Sequence, residues 1–167
     1  MTMLPWEKRP IEIANLFNPA FLSLLLQEGS LAYQAETQNG FPFELAPLLV
    51  TLSLHKETRD LIPKTISTKM HTWLMDHPEL KINCAKRIIN MNPYTLESVS
   101  FGLKTGMISI DENGRICSSG GSSNFSKLNW SAELEPAKCL QRAAFLGRWL
   151  AKTGDVTTIY IMWGIRP

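Results

Sequence analysis

Apolar residues along this chain recur three and four positions apart for most of its length, then switch to every second position in one short stretch. The switch falls within Asn92–Ser118, NPYTLESVSFGLKTGMISIDENGRICS. Leu96, Val99 and Leu103 share one helical face, which predicts a helix capped by Asn92, opened by Pro93 and closed at Gly106. Past Gly106, Ile108 and Ile110 point to one side of a strand, Asp111-Glu112-Asn113-Gly114 supplies a turn, and Ile116 returns on the partner strand. A helix running into a short hairpin predicts the core of a winged helix-turn-helix, which enters a DNA groove or packs on another protein.

The same reading continues on both sides. Residues 1–17 form an arm with Pro5, Pro10 and an exposed Trp6. Asn18 and Pro19 open a helix whose inner face carries Phe21, Leu24, Leu25 and Ala32, and the polar run Thr37–Gly40 ends it. Phe43–Leu54 is almost continuously apolar; Pro47 and the alternation of Val50, Leu52 and Leu54 leave helix and strand open, and a buried helix is the preferred reading. Ser67 can cap a helix reaching His77, with Met70, Trp73 and Leu74 inside. Pro78 can open the next, with Leu80, Ala85, Ile88 and Ile89 as its buried stripe up to Met91. After the hairpin, the Gly/Ser tract starting at Ser118 predicts a mobile loop over 118–127. Glu135-Pro136 starts a helix to Lys152 with Ala137, Leu140, Ala144, Gly147 and Ala151 as a small-residue face and Gln141, Phe145, Arg148 and Trp149 off it. Asp155 then caps a final apolar segment, VTTIYIMWG. The expected fold is mainly α with a small β-hairpin: an arm over 1–17, then a single winged-helix-turn-helix-like domain over 18–167 with additional N- and C-terminal helices.

Composition narrows this further. With 167 residues and 44% hydrophobic content, the chain can bury one sizeable core. A net charge of +2, evenly spread, gives no polybasic face and argues against DNA as the sole partner. Cys84, Cys117 and Cys139 are odd in number and too far apart for a metal pair, and read as reduced thiols of a cytoplasmic protein. The opening residues lack the order of a signal peptide, and the apolar Leu16–Leu26 is short of the ~20 residues a bilayer needs. A cytoplasmic chain without a membrane segment is expected.

Chemistry-bearing patterns are sparse. His55, His71 and His77 miss ligand spacing, no GxxxxGKS/T or GxSxG motif occurs, and the Gly/Ser tract lacks the lysine of a phosphate loop. Asp76, Glu79, Asp111 and Glu112 suit helix starts and a hairpin tip. The expectation is therefore a non-enzyme with no metal and no cofactor. Asn124-Phe125-Ser126 fits a glycosylation acceptor, which has no role without secretion. The aromatic residues are more informative. Trp6 in its proline-flanked arm, and Phe145 and Trp149 at i, i+4, are candidate partner contacts; for Trp149 and Trp163 packing within the domain is the preferred reading. On the helix of the winged unit Glu97, Ser98, Ser100 and Lys104 are the expected exposed positions, and the wing offers Asp111, Glu112 and Arg115. Two acids at a wing tip would face phosphates unfavourably, so protein docking is preferred, with Lys104 and Arg115 among the contacts.

Three segments carry a resemblance: LPWEKRPIEIANLFNPAFLSLLL at Leu4–Leu26, LLVTLSLHKETRDLIP at Leu48–Pro63, and GDVTTIYIMWGIRP at Gly154–Pro167. Its most specific marks are Arg9-Pro10, Asn15–Pro19, His55–Arg59 and Trp163–Pro167. Together the chain resembles the middle component of ABC-three-component systems, bacterial conflict systems that include Lamassu anti-phage defence. The resemblance implies a small adaptor between an SMC-type ABC ATPase, which senses DNA, and an effector, often a nuclease. DNA would then be met indirectly, through the complex. It also adds Arg9 to the candidate partner contacts. A winged-helix DNA-binding regulator and an immunity-type partner restraining a toxic effector stay open as alternatives.

Overall fold

The computed structural model describes residues 4–119 and 129–166. In chain order the helices are α1 (Ile11–Leu16), α2 (Pro19–Thr37), α3 (Ala46–Leu54), α4 (Lys56–Leu61), α5 (Met70–Asp76) and α6 (Cys84–Lys104). A hairpin of β1 (Ile108–Ile110) and β2 (Ile116–Ser118) follows, then α7 (Glu135–Thr153) and α8 (Val156–Met162). The fold is mainly helical with a small antiparallel hairpin, as expected. Most of the loop expected over 118–127 lies outside the described residues; its first residue, Ser118, belongs to β2 and pairs with Ile108.

Helix α2 is the axis of the fold. Asn18 caps it as predicted, its Oδ1 accepting from the Ala20 N–H at 2.9 Å, and Pro19 opens it. Leu22, Leu25 and Leu26 are fully buried, and so are Ser23, Gln27 and Ser30, because α2 is surrounded by α3, α6, α7 and the hairpin. Buried polar side chains need partners. Ser23 Oγ lies 2.6 Å from both the Pro19 and Ser98 carbonyl oxygens, serving one at a time with its single hydrogen. Gln27 donates to the Met107 carbonyl at 2.9 Å. The small-residue face predicted for α7 lies against α2, with Ala137, Leu140 and Gly147 buried. The apolar run after Phe43 is the buried helix α3, entered through a 3-10 turn at Phe43–Leu45.

Two predicted helices prove to be one. Asn92-Pro93 does not start a new helix: α6 passes through Pro93 without a turn. Proline removes one N–H from the ladder, but Met91, Thr95, Ser98 and Val99 on the adjoining turns are buried and hold the helix through it. The turn of the expected helix-turn-helix is therefore absent at residues 91–93. Its inward face also differs from expectation. Cys84, Ile88, Met91, Thr95, Ser98, Val99 and Gly102 are buried, whereas Ile89, Leu96 and Leu103 are exposed. Small residues at 95, 98 and 102 let α6 approach α2, and their hydroxyls bond their own helix: Thr95 Oγ1 to the Met91 carbonyl at 3.0 Å and Ser98 Oγ to the Thr95 carbonyl at 2.7 Å. Ser98, expected at the surface, is thus interior.

Two other boundaries move. Ser67 does not cap α5; its Oγ lies 2.9 Å from Thr65 Oγ1, Lys69 takes the cap position, and the helix begins at Met70. Pro78 opens only a 3-10 turn to Lys81, and Asn83, with φ +58°, separates it from α6.

The hairpin forms where predicted. Asp111 Oδ1 accepts from the Asn113 and Arg115 N–H groups, each at 2.9 Å, and Gly114 takes φ +74°. Ile110 pairs with Ile116 across the ladder, but only Ile108 and Ile116 are buried, while Ile110 stands 39% exposed. Phe41 exchanges both backbone hydrogen bonds with Ile116 at 2.8 Å, so the segment after α2 joins the hairpin. The strands of the hairpin pack on α2 and α6 through Ile108 and Ile116, and its turn at Glu112–Gly114 is exposed.

Candidate protein-docking site

The N-terminal arm is pinned by one guanidinium. Arg9 donates through both terminal nitrogens to the Glu97 carboxylate, at 2.7 and 2.8 Å, and through Nε to the Leu4 carbonyl at 2.8 Å. The same group lies 5.4 Å from the Trp6 ring centroid and 5.7 Å from that of Tyr94. The hydrogen bond to Glu97 raises the Arg9 pKa despite desolvation, so the charge is permanent. Phe17 stacks on Tyr94 with centroids 4.5 Å apart. The arm contains a short 3-10 turn at Trp6–Lys8 and α1, and runs beside α6. Trp6 remains 41% exposed, and Ile11 and Leu16 are exposed too.

A second buried guanidinium serves the interior. Arg59 donates to the Ser53 and Leu54 carbonyls at 3.2 and 3.3 Å, lies 3.1 Å from Cys139 Sγ, and pairs with Glu135. It thereby ties the end of α3 to the start of α7, where carbonyls at a helix C-terminus welcome a cation. His55 caps α4, its Nδ1 accepting from the Thr58 N–H at 3.3 Å. Burial, and then the Arg87 charge, lower its pKa from the ordinary 6.5. Cys84 and Cys139 are buried free thiols whose pKa burial pushes up. Among the described residues no group of three or more His, Cys, Asp or Glu side chains is placed to hold a metal. Within the same residues no helix is long and apolar enough to cross a membrane.

The predicted contact residues do not form one patch. Trp6 and Arg9 sit together on the arm, with Trp6 available and Arg9 enclosed. Lys104 is exposed at the end of α6, and Arg115, half-buried behind the hairpin turn, points toward the Gly40 carbonyl at 3.4 Å. Phe145 and Trp149 are interior, 7% and 1% exposed, with the Trp149 N–H donated to the Thr68 carbonyl at 2.6 Å. Trp149, Trp73 and Trp163 form an edge-to-face cluster, with centroids 5.2 Å apart for Trp73–Trp149 and 6.1 Å for Trp73–Trp163. For Trp149 and Trp163 the structure shows the preferred reading, packing within the domain. For Phe145 and Trp149 as partner contacts the correction follows from the packing of α5 and the Thr68 segment over their face of α7.

What sequence reasoning missed is the outer face of α6. Ile89, Leu96 and Leu103 stand 70%, 47% and 43% exposed, and Ile82, just before the helix, is exposed as well. The signal was present in the spacing, since these four lie seven residues apart. At the Ile89 end opens an apolar cleft of about 420 Å³, lined among others by Phe43, Pro47, Ile88, Val156 and Tyr160. Tyr160 donates its hydroxyl to the Glu44 carbonyl, and burial pushes its pKa up to about 12, so the phenol stays neutral beside the exposed Glu44 on the same rim.

A row of exposed aliphatic residues on a long helix, an aromatic arm beside it and an adjoining cleft suit protein docking. The model of the family described as ABC-three component (ABC-3C) system Middle Component 3 matches residues 6–167, and the chain belongs to that family. No curated protein and no solved structure matches the chain.

Proposed function

We propose that this member of the middle component 3 family is a non-catalytic adaptor, holding an SMC-type ABC ATPase to an effector within a bacterial defence complex of the Lamassu kind. Membership already makes it the middle component of an ABC-three-component system, with partners in that system. The observation that carries the finer reading is the exposed aliphatic row of α6, an apolar surface that a lone chain leaves in water. The side chains best suited to chemistry are engaged in supporting the fold: Arg9 on Glu97, Arg59 on carbonyls, His55 as a cap. In this reading the ATPase senses DNA, a nuclease-type effector acts on it, and the middle component meets DNA only through the complex. Helix α6 with its attached hairpin docks as the helix and wing of a winged-helix subunit would, with Trp6 and Lys104 beside the contact.

Co-expression of the chain with its neighbouring genes, followed by size-exclusion chromatography, tests this. The expected result is co-elution of all three subunits. Elution of this chain alone, while ATPase and effector still associate, overturns it. Salt-sensitive binding of duplex DNA by the isolated chain would favour a regulator instead, and neutralisation of the effector without the ATPase an immunity partner.

A further inference from the structure

The α6 row has a period as well as a location. Ile89, Leu96 and Leu103 repeat at seven residues, whereas two helical turns take 7.2, so the row drifts by only ~20° per repeat and winds slowly around the helix. Between them sit Pro93, half-exposed, and Ser100, exposed. Large residues alternating with small ones leave holes along the row, the surface into which knobs of a facing helix insert.

Charge decides what that facing helix is. Helix α6 carries Lys86, Arg87, Glu97 and Lys104. The Glu97 carboxylate is taken by Arg9, and Arg87 donates to the Leu80 and Ile82 carbonyls. Lys86 and Lys104 are exposed, one near each end of the row, and neither makes an ion pair among the described residues. Along α6 itself the flank of the row is therefore cationic, and Glu44 adds a carboxylate only at the cleft beyond Ile89. A second copy of this chain fits poorly: antiparallel packing about Leu96 sets Lys86 against the other copy's Lys104, and parallel packing sets each lysine against itself. Like charges so placed repel across the seam and disfavour pairing of two copies.

We propose that the outer face of α6 receives an amphipathic helix from a partner protein, with aliphatic residues on a seven-residue repeat and glutamate or aspartate beside them, that is, one strand of an acidic coiled coil. This rests on the adaptor reading and names the class of surface it grips. The cleft beside Ile89 continues the row and takes a large apolar side chain at one end of that strand.

The probe is a synthetic four-heptad peptide with Ile and Leu at its seam and Glu at its flanks, alongside a counterpart carrying Lys at the flanks. Titrated against the full chain, the acidic peptide gains helical circular dichroism and binds at least tenfold more tightly than the lysine version. Leu96→Glu abolishes that binding with the chain's own melting temperature unchanged. The double variant Lys86→Glu/Lys104→Glu, also folded, reverses the preference between the peptides. Equal binding of both peptides, binding of neither, or a wild-type dimer dispersed by Leu96→Glu overturns the inference. In the co-expressed complex, Leu96→Glu lowers retention of one subunit at least tenfold. Full retention there means that the docking face lies elsewhere and the adaptor reading stands. Failure of the wild-type complex to form would count against the adaptor reading, and the peptide titration would still decide this one.

Discussion

Gly147 on α7 meets Gly29 on α2 backbone to backbone: a Cβ added at Gly147 would lie 2.9 Å from the Gly29 carbonyl carbon and closer still to its oxygen. Main chain cannot move aside without separating the two helices. Gly147→Ala is expected to cost about 3 kcal/mol of stability or more, at the upper end of overpacking effects. Gly29→Ala would instead meet the tip of the buried Leu49 side chain, Cδ2 closest and Cδ1 at 3.0 Å, which can yield by a rotamer change more readily than main chain can. Urea denaturation should show the larger loss at Gly147; equal losses would mean that the helices part easily.

Arg59 bonds two carbonyls and a carboxylate from the interior. Replacing it by methionine keeps volume but leaves the Ser53 carbonyl buried and unpaired, for an expected loss of about 3 kcal/mol. Lysine should recover little, because one ammonium cannot reach the ends of α3 and α7 together. Thermal unfolding of the two variants checks this, and full rescue by lysine would make the fork geometry irrelevant.

His55 gives a pH dependence. Its folded pKa is lowered, chiefly by desolvation, and its Nδ1 accepts hydrogen bonds only when unprotonated. The unfolded chain therefore binds the proton first. The contribution of His55 is complete above about pH 6.5 and is lost as pH falls from there through the lower folded value. His55→Asn keeps a capping side chain without the titration. Subtracting its stability curve from that of the wild type should leave a slope confined to the region below pH 6.5; a flat difference would relieve His55 of the role.

Trp6 and Trp73 should separate binding from folding. Trp6→Ala is expected to weaken complex formation at least tenfold, about 1.4 kcal/mol, with the melting temperature nearly unchanged. Trp73→Ala, 6% exposed among Trp149 and Trp163, should destabilise by about 3–5 kcal/mol. Pull-down of the complex and calorimetry of the free chain distinguish the two, and unfolding by Trp6→Ala would make the arm part of the core.

Much of this fold was legible because its signals are local. Asn18, the Asp111–Gly114 turn and Asp155 act within a few residues of themselves, and each lies where the pattern put it. The α6 region was misread for a tertiary reason. An apolar triplet at helical spacing normally faces inward, but here Thr95, Ser98 and Gly102 do, since α2 approaches closely and brings Ser23 to the Ser98 carbonyl. Phe145 and Trp149 were misplaced as contacts because their face of α7, turned away from Gly147, is covered from outside α2 by Trp73 and the Thr68 carbonyl. No sequence period records that Arg9 would find Glu97, 88 positions away.

The indole cluster makes the chain its own spectroscopic reporter. Trp73, Trp149 and Trp163 share one dry environment, whereas Trp6 and Trp130 stand 41% and 38% exposed. Emission should therefore separate into a blue component from the three packed rings and a red component from the two outer ones. Quenchers dissolved in water will reach the red component first. Denaturation will be read in the blue, and the arrival of a partner over the arm in the red, without a label on either protein.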